Sequence, residues 1–234
     1  MFDLGVALST AFALVTSFDP QMLAIVRLSV QVSGGAVLLA ALIGLPLGAM
    51  LALASFPGRG AVVVLMNAFM GLPPVVVGLA VYLLLSRAGP LGQYGLLFTP
   101  SAMVVAQTIL VLPIVAALAR QVVADLWEEY GEQLRSLGAS RPSVAMTLLW
   151  DGRFSLLTAI LAGFGRASAE VGAVMIVGGN IKDVTRTMTT SIALETSKGD
   201  LPLALALGLI LIGLVTLVNT AVFLVGQTAR RRMG

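Results

Sequence analysis

The sequence predicts an all-α membrane protein with about five transmembrane helices and a short N-terminal interfacial helix. Three observations carry this. Residues 28–58, 60–86, 88–119 and 201–229 contain no Asp, Glu, Lys or Arg, and a bilayer core takes roughly 20 consecutive apolar residues per helix. Charged residues are 11% of the chain and the mean hydropathy is +1.01, where a typical soluble domain has about 25% charged residues. A chain of 234 residues has no soluble core large enough to hide so much apolar surface.

Taken in order, residues 4–18 are apolar but too short to span, so they read as a helix lying in the interface. This separates an N-terminal segment, 1–28, from a transmembrane domain, 29–234. Spans are expected at residues 29–54, 61–86, 100–120, 154–177 and 201–227. Phe56-Pro57-Gly58-Arg59-Gly60 and Ala88-Gly89-Pro90-Leu91-Gly92 are backbone-breaking turns between them. Pro46, Pro73, Pro74 and Pro113 fall inside spans, where neighbouring helices re-satisfy freed carbonyls. Each reads as a packing kink, with a hinge most plausible at Pro73-Pro74. Gly178-Gly179 is expected to end the fourth span, and residues 187–197 to form an outer helix.

Charge sets the orientation. One group of loops holds Arg59, Arg120, Arg135, Arg141, Arg153 and Arg230-Arg231-Arg232; the other holds Arg27, Arg87, Lys182, Arg186 and Lys198. The richer group is assigned to the cytoplasm. The opening Met1-Phe2-Asp3 lacks a basic signal-peptide region, so insertion is expected to come from the spans themselves. With neither Cys nor His in the chain, disulfides, thiolate metal sites and imidazole chemistry are excluded. No cofactor or metal is expected, and the scattered basic residues do not suggest nucleic acid.

The acids concentrate where the chain leaves the membrane, at about residues 121–153. Leu126, Tyr130, Leu134 and Leu137 recur at helical spacing, with Asp125, Glu128, Glu129, Glu132 and Arg135 on the opposite side. Gly138-Ala139-Ser140-Arg141-Pro142 then breaks the helix. A second helix is expected over 143–150, capped by Ser140 with Pro142 at its first position. Two readings stand: a solvated amphipathic loop, or a docking helix for a soluble partner.

Here the residues resemble a known family. Glu132-Gln133-Leu134-Arg135-Ser136-Leu137-Gly138-Ala139-Ser140 is similar to the EAA loop of ABC importer permeases. Gly138 keeps its place, Gln133 and Leu134 replace the two alanines, and Trp150-Asp151 stands where Leu-Pro is usual. Leu148-Leu149-Trp150-Asp151-Gly152-Arg153-Phe154, then Phe164 through Met175, Gly178-Gly179-Asn180-Ile181 and Thr189 through Asp200 resemble the tungstate-importer permeases, with the molybdate permeases related. The resemblance covers about residues 24–225.

It implies a non-catalytic transport subunit in the plasma (inner) membrane of a prokaryote, built as a homodimer. Partner ATP-binding cassette subunits would supply ATP hydrolysis, and an extracytoplasmic binding protein would deliver tungstate, or molybdate or another tetrahedral oxyanion. Glu132, Gly138, Ala139, Ser140 and Arg141 would form the coupling contact. The chain has no Gly-rich phosphate loop ending in Lys-Ser/Thr, and its lysines are Lys182 and Lys198 alone.

Arg166 and Glu170 are the charges of the fourth span, four residues apart and so expected on one helical face. A charge at mid-bilayer costs about 2.5–3.5 kcal/mol on insertion scales, so both should face the bundle. They read either as a packing ion pair or as a gate. Asn67, Thr108, Ser168 and Asn180 are candidates for lining the path, with helix packing as the alternative for each. Outside this class, an autonomous channel or secondary carrier would make the cytoplasmic loop incidental. No catalytic constellation supports an intramembrane enzyme.

Overall fold

The structure is a computed structural model that describes residues 4–17 and 19–233; the expected end of the first segment at residue 18 lies outside the described residues. Ten α-helices are found among them: α1 (Leu4–Thr16), α2 (Pro20–Leu53), α3 (Arg59–Phe69), α4 (Pro74–Leu85), α5 (Pro100–Ser136), α6 (Arg141–Asp151), α7 (Arg153–Ser168), α8 (Gly172–Gly178), α9 (Met188–Lys198) and α10 (Leu201–Met233). The described residues contain no strand. α2, α5 and the 201–224 part of α10 are each long and apolar enough to cross a membrane. Two further spans arise if the pairs α3–α4 and α6–α7 each count as one.

Several boundaries differ from the sequence reading, each for a local reason. α2 starts nine residues before the expected residue 29 because Asp19 caps it: its Oδ2 accepts the Met22 N–H at 3.0 Å, with Pro20 at the first helical position. At 34 residues, or about 50 Å, α2 exceeds the roughly 30 Å hydrocarbon core. Arg27, expected in a loop, is therefore an exposed residue inside the helix.

The span expected at 61–86 is two helices. Met70, Gly71 and Leu72 donate to Asn67, Ala68 and Phe69 in tight i→i−3 turns. Pro73 and Pro74 then supply no N–H to continue the ladder. Pro46 and Pro113, by contrast, lie inside unbroken helices. α5 does not stop at residue 120: it runs 37 residues to Ser136, so the expected loop helix is the rigid continuation of a span.

The span expected at 154–177 also breaks, between Ser168 and Gly172. Glu170 Oε1 accepts the Ala173 N–H at 3.1 Å, and the Glu170 carbonyl accepts the Thr189 hydroxyl at 2.8 Å. Side chains thus satisfy the backbone that the break releases. Gly179 ends α8 at φ 72, as the glycine pair suggested, and α9 occupies the expected outer-helix residues.

The chain divides into two compact units. The first, residues 1–35, 74–107 and 168–234, packs α4 on α8 and α10 on both α9 and α1. Gly78 permits the α4–α8 approach, since a Cβ there would lie 2.8 Å from Ala173 Cα. Met22, Met188 and Leu207 form a buried cluster in this unit.

The second unit comprises residues 36–73 and 108–167. Within it α2 and α5 run parallel. Ala36 meets Thr108 through a 3.4 Å hydrogen bond, Gly44 faces Val115, and Gly48 faces Ala116, Ala119 and Arg120. The indices rise together, so the chain between these helices must return across the same thickness. A Cβ on Gly48 would lie 2.5 Å from the Ala116 carbonyl oxygen, which is why the backbones can touch there.

Candidate functional site

The far end of α5 and the turn into α6 make the candidate site. Past Arg120, α5 carries its acids on one side. Trp127 folds over Gly131, whose missing side chain leaves room: a Cβ there would be 3.1 Å from the indole. Arg135 lays its guanidinium over the same ring at 4.8 Å. This cation–π contact fixes a long cationic side chain against α5 itself. Beside the acids, the hydrogen bond to the Glu129 carboxylate raises the half-buried Tyr130 phenol above its ordinary 10.0, and the Glu129 charge pushes the same way.

α5 ends in a Schellman turn. Gly138 N–H donates to the Arg135 carbonyl at 2.9 Å, and Ala139 N–H to the Leu134 carbonyl at 3.1 Å. Gly138 sits at φ +69, with no atom within 4 Å of where a Cβ would be. The position needs glycine for its backbone angle, and the space beside it is open. Ser140 then caps α6, accepting the Ser143 N–H at 3.5 Å, with a proline in the first turn, as the sequence suggested.

α6 turns back on α5. Ala49, Ala52, Val123, Val144 and Leu148 form a buried cluster, with Leu126, Leu134 and Ala139 packed against it. Gly152 lets α6 meet α5, because a Cβ would lie 2.8 Å from Val122; there α6 and α7 bend by 76°. This narrows the apolar set that either reading of the loop leaves facing outward. Leu126 and Leu134 belong to the internal seam, and of that apolar set Leu137 faces solvent fully, at 81% exposure.

Sequence reasoning missed the other exposed apolar groups, Met146 and Trp150, each 70% exposed. They lie four residues apart on α6, offset by two from the buried Val144 and Leu148 stripe. That offset was readable from spacing alone. Glu132, Gly138, Ser140 and Arg141 are exposed around the turn and Ala139 is half-buried, so the predicted coupling residues are brought together.

The intramembrane candidates fall differently. Arg166 is half-buried on α7, but Glu170 lies past the end of that helix, so the two do not share a helical face as expected. Glu170 is 3% exposed and is engaged as the cap described above. Asn67 is exposed on α3, and Thr108 donates to the Ala36 carbonyl. Ser168 is buried at the end of α7, and its hydroxyl has no hydrogen-bond partner among the described residues. Asn180 stands at φ 49 and donates to the Thr190 carbonyl at 3.5 Å, while its own side-chain oxygen has no partner among the described residues.

No protein-family model matches the chain. Among individual proteins, it is 41% identical over 203 residues to a probable anion ABC transporter permease of Haloferax volcanii, covering 85% of this chain and 88% of that protein. It is 40% identical over 213 residues to the tungstate uptake system permease TupB of Peptoclostridium acidaminophilum, covering 91% and 93%. A putative molybdenum transport system permease of Bacillus subtilis is 30% identical over 189 residues, covering 77% and 83%. With its apolar spans and exposed helix–turn–helix, the chain belongs to the ABC transporter permeases, in the family that includes these tungstate and anion permeases.

Proposed function

We infer that this chain is the membrane-spanning subunit of an ABC importer that moves tungstate into the cell. The observation that carries this is the 40% identity over 91% of the chain to a tungstate uptake permease, against 30% over 77% for a molybdenum permease. The subunit has no catalytic role of its own. A partner ATP-binding subunit hydrolyses ATP, an extracytoplasmic binding protein delivers the oxyanion, and two copies of this chain enclose the path across the plasma membrane.

In this reading the α5–α6 turn is cytoplasmic and is the mechanical link. Glu132, Gly138, Ala139, Ser140 and Arg141 meet the ATPase, with Leu137, Met146 and Trp150 as apolar anchors. Two features support it. The turn is held by backbone bonds and a side-chain cap rather than by contacts of its outer face. α5 is one unbroken helix from its apolar span to that turn, so a push at Ser136 travels along a rigid rod. Arg166 and Glu170 are proposed as gate or packing charges, and Asn67, Thr108, Ser168 and Asn180 as lining groups.

The test is elemental uptake. Tungsten and molybdenum are counted in cells with and without the chain at low external oxyanion, in a strain lacking other importers. Selective loss of tungsten on deletion, restored by the wild-type chain, is the expected result. Unchanged tungsten refutes the substrate assignment.

A further inference from the structure

Beside the α5–α6 turn lies a cavity of about 590 Å³ whose lining includes Arg59, Arg135, Arg141, Trp127, Ser55 and Ala124. Three guanidinium groups line it, and none of the nearby carboxylates, Asp125, Glu128, Glu129, Glu132 or Asp151, does. Arg59 spends two N–H groups on the terminal carbonyls of α2, at 2.8 Å to Leu51 and 3.1 Å to Ala52. A guanidinium has five donors, so three are left. Arg135 is held through its face by Trp127, which leaves its N–H edge open.

A second groove, of about 410 Å³, shares Leu53, Ala54 and Arg141 with this cavity. Apart from Arg141 its walls are apolar: Pro46 and Met50 on α2 face Pro142, Met146 and Leu149 on α6. From residue 54 back to residue 46 it descends about 12 Å along α2, toward the bilayer. The basic cavity sits at the matching depth. Ala124 and Trp127 lie four and seven residues beyond Arg120, the first charge of α5; with Arg120 taken as the edge of the hydrocarbon core, they stand about 6–10 Å above it, from within the headgroup layer to its water-facing surface.

We propose that this pair of cavities is a binding site for an anionic phospholipid, with the headgroup phosphate among Arg59, Arg135 and Arg141 and an acyl chain in the groove along α2. Guanidinium forks match phosphate oxygens two at a time. A basic pocket at the membrane surface is the form that anionic headgroups recognise. An acidic side chain from a protein partner would answer the arginines but would leave the membrane-directed apolar groove unfilled. The site bears on how the α5–α6 turn is held at the membrane surface and does not depend on which oxyanion is carried.

The experiment is native mass spectrometry of the full-length detergent-purified chain, exchanged into phosphatidylglycerol or phosphatidylcholine. Phosphatidylglycerol should be retained preferentially. Arg141→Gln should weaken that retention roughly fivefold, the effect of about one surface arginine, and Arg141→Lys should keep most of it. Ala54→Trp, which blocks the junction of the two cavities with all three arginines intact, should also reduce it. Equal retention of both lipids, or a preference that survives both Arg141→Gln and Ala54→Trp, overturns the proposal. Displacement of the lipid by excess inorganic phosphate or tungstate reassigns the cavity to a free oxyanion. Arg141 and Met146 are shared with the proposed ATPase contact, so the comparison is repeated on the permease assembled with its ATP-binding subunit: phosphatidylglycerol should still be retained there, and its complete displacement reassigns the cavity to that protein.

Discussion

Replacing Gly138 separates two roles that a single bulky substitution would confuse. The residue is at φ +69 and a Cβ would touch nothing within 4 Å. Gly138→Ala therefore meets no steric clash inside the chain, and its cost is the left-handed backbone alone, about 1–2 kcal/mol. Gly138→Asn should cost less, because asparagine tolerates that region. The two turn bonds, to the Arg135 and Leu134 carbonyls, should survive in both. Asparagine nevertheless adds more bulk than alanine to an exposed turn. If the turn seats closely in the ATPase, Asn should impair coupling more than Ala while harming the fold less. The assay pairs thermal unfolding of the purified permease with binding-protein-stimulated ATP hydrolysis in proteoliposomes. Coupling that follows stability, with Asn better than Ala in both, would refute close seating and leave Gly138 a purely conformational glycine.

Gly48→Ala should lower the thermal stability of the solubilised permease by about 1–3 kcal/mol, because the new methyl meets the Ala116 carbonyl at 2.5 Å and Ala119 at 2.8 Å; an unchanged melting temperature would mean that α2 and α5 do not touch there. Met146→Gln with Trp150→Gln should leave helicity by circular dichroism intact, since both side chains are 70% exposed, yet reduce co-purification of the ATP-binding subunit; full co-purification would remove them from the interface. Glu170→Ala should destabilise by about 1–2 kcal/mol through loss of the 3.1 Å cap to Ala173, and Glu170→Gln should recover much of it. If Gln and Ala melt alike, the cap does not hold this break. The Tyr130 phenol should titrate above 10.0 by ultraviolet absorbance, and Glu129→Gln should lower it. Because the folded-state value is raised, any stability from this contact is present below about pH 10 and lost as pH rises through the raised value.

The sequence alone determined the solvent of this protein and the place where it leaves that solvent. Four uncharged stretches and an acid-rich interval between Asp125 and Glu132 are one-dimensional signals, because bilayer thickness converts directly into a number of residues. Local chemistry was equally legible where it acts within a few residues. Ser140 and Pro142 marked the start of α6, and Gly178-Gly179 marked the end of α8. The family resemblance rested on the same kind of contiguous residues.

Tertiary structure decided what depends on partners far along the chain. The break at Glu170 is held by its cap on Ala173 and by Thr189, nineteen residues away, so the departure of Glu170 from the helix that carries Arg166 was beyond the reach of spacing. Leu126 and Leu134 looked like a docking stripe until α6 and the end of α2 were found packed against them. An apolar face does not say whether its cover comes from the same chain or another, and periodicity alone cannot tell. The three arginines of the basic cavity, at 59, 135 and 141, are scattered in sequence. They converge because α2 and α5 run parallel and α6 folds back between their ends.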